Sequence, residues 1–470
     1  MIDANNVDLS QLDRWYSQSG TPRVKLEQQY DAATKTLRLI VSQRTPTTPG
    51  ANQREEEKKP FLIPLLTGLL DSSTGKEIVP STLLVLKEAK QEFTFENVPT
   101  KPILSILRDF SAPVILELEQ SDDELFSLIA HDTDAFNKWD AVNRYFIKIL
   151  NQGIHEFEKQ GDSPSLEFPS GIVSPAFLNS LRTLLLSAKN DPSKDKSLIA
   201  YALQLPDENT LMNLMPEGQA VPVQGLYYAR KLLKQLIAKT LEKEIMETYL
   251  YCKSQDSGIY LFTPAEVGRR RLQTVCLDYI ASLYDAPATT SEMKMMIRQL
   301  LKKRFDESSS MTDKLSAIIP LTSIPSIEKD EALQQFYVDA HQHPLVINKW
   351  FAIQANADYS TLLDDIKKLK THADFLMTNP NRARSLLTTF SNNFYHFHQS
   401  SGKGYEFIAN AIIEVDPINP QVASRLMSCF SSWKKFDANR KELMHQALIR
   451  IQNTPNLSSD TYEIVSRYLK

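Results

Sequence analysis

The hydrophobic period of this 470-residue chain changes once, near residue 121, and that change limits what the chain can fold into. Before it, apolar residues alternate with polar ones over short stretches, which is typical of half-buried β-strands. After it, apolar residues recur every three to four positions, the period of an amphipathic helix. The sequence therefore predicts a β region followed by a much larger helical region.

The β region covers residues 21–120. Val24, Leu26 and Tyr30 alternate with mostly polar residues, and Leu37 and Leu39 do so less strictly. Seven short runs separated by Pro, Gly, Asp and Ser turns predict an Ig-like antiparallel β-sandwich. Residues 45–60, with their prolines and a run of charges, are predicted to form an exposed loop. The remaining apolar runs lie at 61–66, 83–86, 92–95, 103–107 and 114–118.

Residues 121–470 carry helical periodicity almost throughout, interrupted by prolines. About 350 residues of short helices separated by prolines predict an α-helical superhelix, an α-solenoid of the HEAT or armadillo kind. The fold class is therefore mainly α. The clearest helices are predicted at 135–150, 175–186, 227–251, 264–283, 291–305, 332–341 and 362–369. Breaks are predicted at 163–165 and at the prolines of positions 192, 206, 216, 264, 287, 320, 325, 344, 380, 420 and 455.

An Asn-Pro helix start occurs twice, forty residues apart, at 379–385 and 419–425. In both copies Asn can cap a helix and Pro can fill its first position. Arg384 and Arg425 fall in the early turns of these helices, and stacked repeats would bring them to neighbouring places on one surface. From the spacing alone, the favoured interpretation is that Arg384 and Arg425 lie on the solvated flanks of core-facing helices. The alternative is a cationic wall for an anionic or carbonyl group.

Composition narrows the possible partners. A net charge of −4 and a pI near 6.1 provide no general attraction to nucleic acid or to anionic membranes. No apolar run is long enough to span a bilayer, and residues 1–6 lack the basic start and apolar core of a signal peptide. The three cysteines are widely spaced, so we expect a reducing compartment, the cytoplasm, and no disulfide framework.

The sequence contains no recognisable catalytic motif. His155-Glu156 is the only His-Glu pair, and Lys159 stands where a zinc-binding helix would carry its second His. His pairs at 341/343 and 396/398 lack further ligands nearby, so surface or partly buried histidines are favoured over a metal site. Arg269-Arg270-Arg271 is interpreted as a solvated helix face. No phosphate loop, nucleophile elbow or Cys-x-x-Cys is present, and catalysis is not expected from this chain alone.

Several stretches resemble closely the C-terminal half of the bacterial aminopeptidase N branch of the M1 (gluzincin) family of zinc metallopeptidases. They lie at residues 15–22, 42–46, 110–113, 349–351, 379–384 and 419–426. The resemblance implies the tail of a catalytic domain at 1–20, a β-sandwich at 21–120 and a helical superhelix at 121–470. The His-Glu-x-x-His and Gly-x-Met-Glu-Asn motifs of the family's catalytic domain are absent. Zinc is therefore expected in the full-length enzyme and no cofactor in this chain.

In that family the superhelix caps the catalytic domain and encloses the substrate. By matching motif, the resemblance implies that Arg384 and Arg425, with Gln421 on the same face, contact a peptide substrate. No role is assigned to Asn381 or Arg382. The implied partners are the peptide and the catalytic domain of the same polypeptide, with no nucleic acid and no membrane.

A free-standing α-solenoid that binds a partner protein is the alternative function. We expect the two functions to differ at the first twenty residues. An enzyme lid predicts a dangling Trp15 segment that starts inside a larger protein, whereas a scaffold should begin with a polar capping repeat. The sequence favours the lid.

Overall fold

The computed structural model describes residue 8 and residues 10–48, 54–160, 166–216, 218–340 and 343–470. The predicted break at 163–165 lies outside the described residues. So does His341, the first member of the 341/343 histidine pair. The chain divides into two compact units: Met1–Phe146, Pro175–Ser187 and Leu198–Leu203 form the first, and Ile147–Ser174, Ala188–Ser197 and Gln204–Lys470 the second. The predicted domain boundary between residues 120 and 121 stays a prediction.

All seven predicted strands are present in the first unit. They form a four-stranded sheet in the order β5-β2-β1-β7 and a three-stranded sheet in the order β4-β3-β6. The inward positions of both sheets, such as Val24, Leu39 and Ile63, are fully buried and form one core, as a sandwich requires. The strands are β1 (Arg23–Asp31), β2 (Thr36–Arg44), β3 (Ile63–Asp71), β4 (Glu77–Leu86), β5 (Lys90–Phe95), β6 (Pro102–Ile106) and β7 (Ile115–Glu117).

One detail of the sandwich differs from the prediction. β1 pairs antiparallel with β2, but it pairs parallel with β7, with Arg23 opposite Ile115. β7 is an edge strand, and the chain reaches it through a turn in which Leu107, Asp109 and Phe110 adopt left-handed backbone angles. Periodicity identifies a strand but carries no information about its direction, so this pairing could not be predicted.

Arg108 in that turn is almost completely buried, with 1% of its side chain exposed. Its guanidinium donates to Glu77 at 2.6 Å and to Asp132 at 3.1 Å. A Cβ added to Gly68 would lie 2.2 Å from the guanidinium carbon, so only glycine leaves space for this side chain in β3. Two carboxylates compensate the cost of burying the charge.

The segment before β1 is packed, contrary to the expected dangling end. A 3₁₀ turn (Ser10–Asp13) leads into a short helix, α1 (Arg14–Ser17). The Trp15 ring lies 4.5 Å from the ring of Phe61, and its indole N–H donates to the Leu62 carbonyl at 3.0 Å. The sandwich itself supplies a partner for Trp15 through a residue 46 positions away, which the sequence pattern did not reveal.

Helices follow from residue 122 to the end of the chain, and no described helix is long and apolar enough to cross a membrane. The first are α2 (Asp122–His131), α3 (Ala135–Gln160), α4 (Pro175–Asn190), α5 (Lys196–Ala202), α6 (Glu208–Leu214), α7 (Val223–Thr240), α8 (Glu242–Ser254), α9 (Pro264–Ser282) and α10 (Ser291–Glu307). They continue with α11 (Met311–Thr322), α12 (Ile327–Ala340), α13 (Pro344–Ala355), α14 (Leu362–Lys370), α15 (Pro380–Ala383), α16 (Thr389–Asn392), α17 (Phe394–Phe397), α18 (Lys403–Val415), α19 (Pro420–Leu426), α20 (Ala438–Gln452) and α21 (Ser459–Leu469).

The arginine run at 269–271 is not a solvated face. Arg269 and Arg270 are 3% and 4% exposed, on the buried side of α9. Arg269 donates to Glu266 at 3.0 Å and to the Cys252 carbonyl at 3.1 Å, and Arg270 donates to the Leu261 carbonyl at 2.8 Å. The interpretation as a solvated face was wrong because acceptors within the second unit compensate the buried charges.

Candidate functional site

Both Asn-Pro helix starts form the predicted caps. The Asn379 side chain accepts from the N–H groups of Asn381 at 3.0 Å and Arg382 at 3.2 Å. The Asn419 side chain accepts from the N–H of Val422 at 3.1 Å. Proline occupies the first turn after each cap, where its missing N–H costs nothing. The caps therefore determine where α15 and α19 begin, and with that where their arginines lie.

Arg384 lies directly after α15, at the start of a π-helical turn (Arg384–Thr388). Its side chain is half-buried, and its guanidinium is already engaged. Nε donates to the Pro380 carbonyl at 3.1 Å, and Nη2 donates to Oδ1 of Asn381 at 2.8 Å. π-helical turns are rare and often occur at functional positions. Arg384 is thus held in one orientation with donors left over for a ligand.

Arg425 has different surroundings. It is exposed near the end of α19, and within the described part of the chain its guanidinium makes no hydrogen bond or ion pair. Gln421, one turn earlier, is also exposed. α19 packs against the π-helical turn that begins at Arg384. The structure thus brings the two predicted segments together; that these three side chains contact a peptide stays a prediction.

Arg382 and Asn381, for which the sequence assigned no role, differ in function within the fold. Arg382 is buried, donates to Oδ1 of Asn348 at 2.6 Å and to the Asp374 carbonyl, and lies over the Phe351 ring. It therefore stabilises the packing of α13 beneath α15. Asn381 is exposed and orients Arg384 through its side-chain oxygen.

The structure also brings together a second group of polar side chains, which the sequence did not predict. Asp358 accepts from the Tyr227 hydroxyl at 2.7 Å and contacts Nε2 of His396 at 2.9 Å, and the Lys231 ammonium is 3.5 Å away. The rings of Tyr227 and Tyr395 are stacked 3.8 Å apart. The partners are up to 168 positions apart in sequence (Tyr227 to Tyr395), so no local pattern could reveal them.

These contacts set the ionisation of the group. Burial by itself raises the pKa of Asp358, but the hydrogen bond from His396, the charge of Lys231 and the Tyr227 hydroxyl outweigh it and lower that pKa to about 2. Burial and the neighbouring carboxylate raise the pKa of Tyr227 far above its usual value. Asp358 is therefore a permanent anion at neutral pH, and Tyr227 a permanent hydrogen-bond donor.

The histidines at 396 and 398 are engaged in packing. His396 contacts Asp358, whereas the His398 ring stacks on Phe436 at 4.2 Å and its Nδ1 lies 2.9 Å from the Tyr405 hydroxyl. Burial, together with the charge of Arg440, lowers the pKa of His398 to about 3. Among the described residues, no group of three or more His, Cys, Asp or Glu side chains could hold a metal ion.

Family comparisons agree with this architecture. The family model described as "Domain of unknown function (DUF3458) Ig-like fold" matches residues 20–119, and "Domain of unknown function (DUF3458_C) ARM repeats" matches residues 122–470. The second match covers well over half of the chain, so the chain belongs to the DUF3458_C family. The predicted fold class, an Ig-like sandwich followed by a helical repeat domain, is confirmed.

Individual relatives point to one kind of enzyme. The chain is 34% identical to aminopeptidase N of Haemophilus influenzae over 477 residues and 33% identical to that of Escherichia coli over 478 residues. Both alignments cover 100% of this chain and 51% of the relative. Legionella pneumophila aminopeptidase A in complex with aspartic acid has a similar structure, with a TM-score of 0.81, 29% identity, and coverage of 100% of this chain and 51% of that chain. The chain spans about half the length of these relatives, and its resemblance to the C-terminal half of aminopeptidase N is confirmed.

Proposed function

We propose that this chain forms the non-catalytic C-terminal part of a zinc-dependent aminopeptidase that removes N-terminal residues from peptides. The observation that carries the proposal is the coverage: the whole chain aligns, in sequence and in structure, with about half of each aminopeptidase. A shared fold alone is a weak argument for function. Identity of about one third over the full length is a stronger one, because it extends over both the sandwich and the helices.

In this proposal the helical domain caps the active site and encloses the substrate. Arg384 and Arg425 contact the peptide beyond the scissile bond, and Gln421 lies one turn before Arg425 on the same helix. An arginine fork suits a peptide carbonyl or terminal carboxylate, because it donates several hydrogen bonds in fixed directions and keeps its charge. Such contacts orient the peptide rather than break a bond.

The catalytic half of the same polypeptide supplies the zinc and is the main protein partner. The relatives carry the name aminopeptidase N, which supports zinc chemistry in the longer enzyme. The proposed location is the cytoplasm. The three free cysteines, two of them buried, are compatible with a reducing compartment.

The alternative is a free-standing α-solenoid scaffold. Because Trp15 packs on the sandwich, its segment no longer distinguishes a lid from a scaffold. The two functions still differ in the size and activity of the native protein. A lid belongs to a polypeptide about twice as long as this chain, whereas a scaffold acts without peptidase activity.

An antibody raised against the 470-residue chain can separate the two functions. If the chain is an enzyme lid, the antibody should capture from the native source a polypeptide of about twice this length. That polypeptide should hold zinc and release N-terminal residues from peptides. Mass spectrometry of the captured polypeptide gives its length, and an aminoacyl-anilide assay gives its activity. Capture of a 470-residue polypeptide without zinc or activity would reject the lid and favour the scaffold.

A further inference from the structure

The turns that join the helices of the second unit lie at two opposite edges, and side-chain contacts show which turns share an edge. At the first edge, neighbouring turns are linked in series by Lys253–Glu307 at 2.9 Å, Lys314–Asp339 at 2.9 Å and Lys370–Glu414 at 2.8 Å. In the same series, Tyr337 donates to Asp374 and Ser458 donates to Asp416. Both Asn-Pro helix starts lie at this edge, which we call the Asn-Pro edge. It contains residues 255–263, 308–310, 371–379, 416–419 and 453–458, with the end of α12 and the start of α13.

The other turns lie at the opposite edge. There Asp358 joins Tyr227, at the start of α7, to His396. Further contacts of this edge are Ser323–Asp358 at 3.0 Å, Lys231–Asp285 at 3.5 Å, Asn439–Ser400 at 2.9 Å and Val221–Lys435 at 2.9 Å. The opposite edge contains residues 215–216, 218–222, 283–290, 323–326, 356–361, 393–402 and 431–437.

Exposed apolar side chains are concentrated at the Asn-Pro edge. Among the described residues, eight large apolar side chains in its turns or within three residues of them are exposed, against two at the opposite edge, Leu214 and Ile327. The eight are the four residues at 259–262 together with Val338, Leu345, Leu376 and Ile418. Exposed apolar surface concentrated in this way is rare on monomeric proteins and marks places where another surface binds.

The loop that carries residues 259–262 is anchored, so its apolar side chains are held at the surface. The buried guanidinium of Arg270 donates to the Leu261 carbonyl at 2.8 Å and lies 4.7 Å from the centre of the Tyr260 ring. At the start of the loop, Asp256 accepts from the N–H of Gly258 at 3.1 Å. Phe262 nevertheless stays 84% exposed. An anchored loop loses little conformational entropy when it binds, which favours docking.

We propose that the Asn-Pro edge is the surface on which the other half of the proposed aminopeptidase docks, with the loop at 259–262 as an apolar anchor. This inference rests on the proposed function. The occupant follows from two observations. Each aminopeptidase relative has about as much chain again outside the alignment, since only 51% of it is covered. Arg384 and Arg425 belong to helices that begin at this edge, so they reach a peptide held by the other half only if this edge faces it.

The size and composition of the edge fit such an interface. A stable interface takes about 20–30 residues from each side, and a row of turns linked in series can provide them. Apolar and aromatic side chains form the core of such interfaces, and polar residues form the rim. At the Asn-Pro edge, the arginines and Gln421 would then lie beside the apolar residues and face the same partner.

Hydroxyl-radical footprinting read by mass spectrometry tests the proposal on native side chains. It compares the isolated 470-residue chain with the longer polypeptide that the antibody captures. Labelling of Phe262 and Leu376 should fall at least about 5-fold in the longer polypeptide, because an interface core excludes water. Ile327 is the matched control, since it is 75% exposed and lies at the opposite edge. Its labelling should be the same in both proteins.

A charge-reversing variant separates docking from folding. Phe262→Asp with Leu376→Asp places two carboxylates in the proposed interface of the full-length enzyme. Labelling of Tyr260 should then return to its level in the isolated chain, because buried unpaired charges oppose docking. Both side chains are exposed in the isolated chain, so the same double variant should keep its circular dichroism spectrum there. Ile327→Asp should leave the labelling of Tyr260 unchanged.

Three results would overturn the proposal, and they are distinguishable. A longer, active polypeptide with Phe262 and Leu376 labelled as strongly as in the isolated chain would reject docking at this edge and leave the proposed function intact. Capture of a 470-residue polypeptide without activity would reject both, because no other half exists to dock. Protection that rises with the concentration of the isolated chain, together with a dimer in light scattering, would assign the edge to a second copy.

Discussion

Arg384 and Arg425 follow equivalent Asn-Pro helix starts, yet their guanidinium groups have different surroundings. Arg384 is oriented by the Pro380 carbonyl and by Asn381, whereas Arg425 projects from α19 without a partner in the described part of the chain. An oriented side chain loses less rotamer entropy when it binds. If both contact a peptide, Arg384 contributes a preorganised contact, and Arg425 one that forms at the cost of ordering its side chain.

The first prediction concerns these two residues in the proposed full-length aminopeptidase. Arg384→Ala and Arg425→Ala should each lower kcat/KM for a tripeptide about 10- to 150-fold, because a hydrogen bond to a charged group contributes about 1.5–3 kcal/mol. An aminoacyl-anilide lacks the distal carboxylate and should be affected much less. Steady-state kinetics on both substrates measures the ratio of the two losses, and zinc content should stay unchanged.

Three further variants act as controls. Lysine at either position should restore only part of the activity, because a point charge cannot reproduce the planar fork. Asn381→Ala should reduce tripeptide turnover less than Arg384→Ala, since it frees the guanidinium without removing it. Equal losses on the tripeptide and the anilide would assign the arginines to the fold or to closure, and the contact role would be wrong.

At the scale of single residues, the sequence predicts some of the observed positions but not others. The Asn-Pro pairs predict the caps, and through them the places of Arg384 and Arg425. The burial of Arg269 and Arg270 could not be predicted, because their acceptors include the carbonyls of Cys252 and Leu261, which no pattern marks. A buried charge depends on where distant acceptors lie, and that information is absent from local periodicity.

At the scale of helices and strands, the hydrophobic period predicted the type of each element well, but it predicted where the elements begin and end poorly. Residues 227–251 were predicted as one helix, whereas the structure has α7 and α8 with a kink at Leu241. No proline or glycine marks this point. Leu241 is fully buried, and its N–H still donates to Ile237 at 2.9 Å, so packing bends a helix that remains hydrogen-bonded. Pro320 lies inside α11, two residues before its end, rather than at a break.

The second prediction concerns the helix caps. Asn379→Ala and Asn419→Ala should each lower the free energy of unfolding by about 1 kcal/mol, because each leaves first-turn N–H groups without an acceptor. Asn379→Gly and Asn419→Gly should cost only a few tenths of a kcal/mol. Urea unfolding followed by circular dichroism measures the difference. If alanine and glycine were equally tolerated, the Asn side chains would contribute nothing to the helix starts.

At the scale of the whole second unit, Asp358 joins helices that are far apart in sequence. Tyr227 belongs to α7, Asp358 lies in the segment after α13 and His396 belongs to α17. One carboxylate therefore links this segment to two helices, over a span of 170 residues (227–396). In a helical repeat protein, each repeat usually contacts only the repeats next to it in sequence. This link adds a long-range contact, and its strength depends on the ionised form of Asp358.

The third prediction follows from the pKa of Asp358. That pKa falls from 3.8 to about 2 on folding, so the native state favours the anion. The resulting stability is fully present above about pH 4 and is lost as pH falls toward about 2. Since 38% of the side chain is exposed, solvent screening reduces the contribution to about 1 kcal/mol.

Asp358→Asn should therefore lower the apparent melting temperature at pH 7, and its difference from the unmodified chain should shrink between pH 4 and pH 2. Calorimetric scans across this range measure it. Asp364→Asn is the control, because 71% of that side chain is exposed and its ion pair with Lys367 is long, at 3.8 Å. A difference that stayed constant with pH would exclude the charge of Asp358 as its source.

The last prediction concerns the chain as an isolated molecule. The purified 470-residue chain should hold no stoichiometric zinc and should not hydrolyse an aminoacyl-anilide. The zinc-binding helix of a His-Glu-x-x-His metallopeptidase carries two imidazoles on one face around a glutamate, and Lys159 occupies the place of the second imidazole after His155. Within the described ranges, no cluster of three ligating side chains replaces it. Metal analysis and an anilide assay, with the Escherichia coli relative as positive control, measure both properties. One tightly held zinc with turnover that a chelator abolishes would show that the chain contains its own active site, and its assignment as a non-catalytic half would then be wrong.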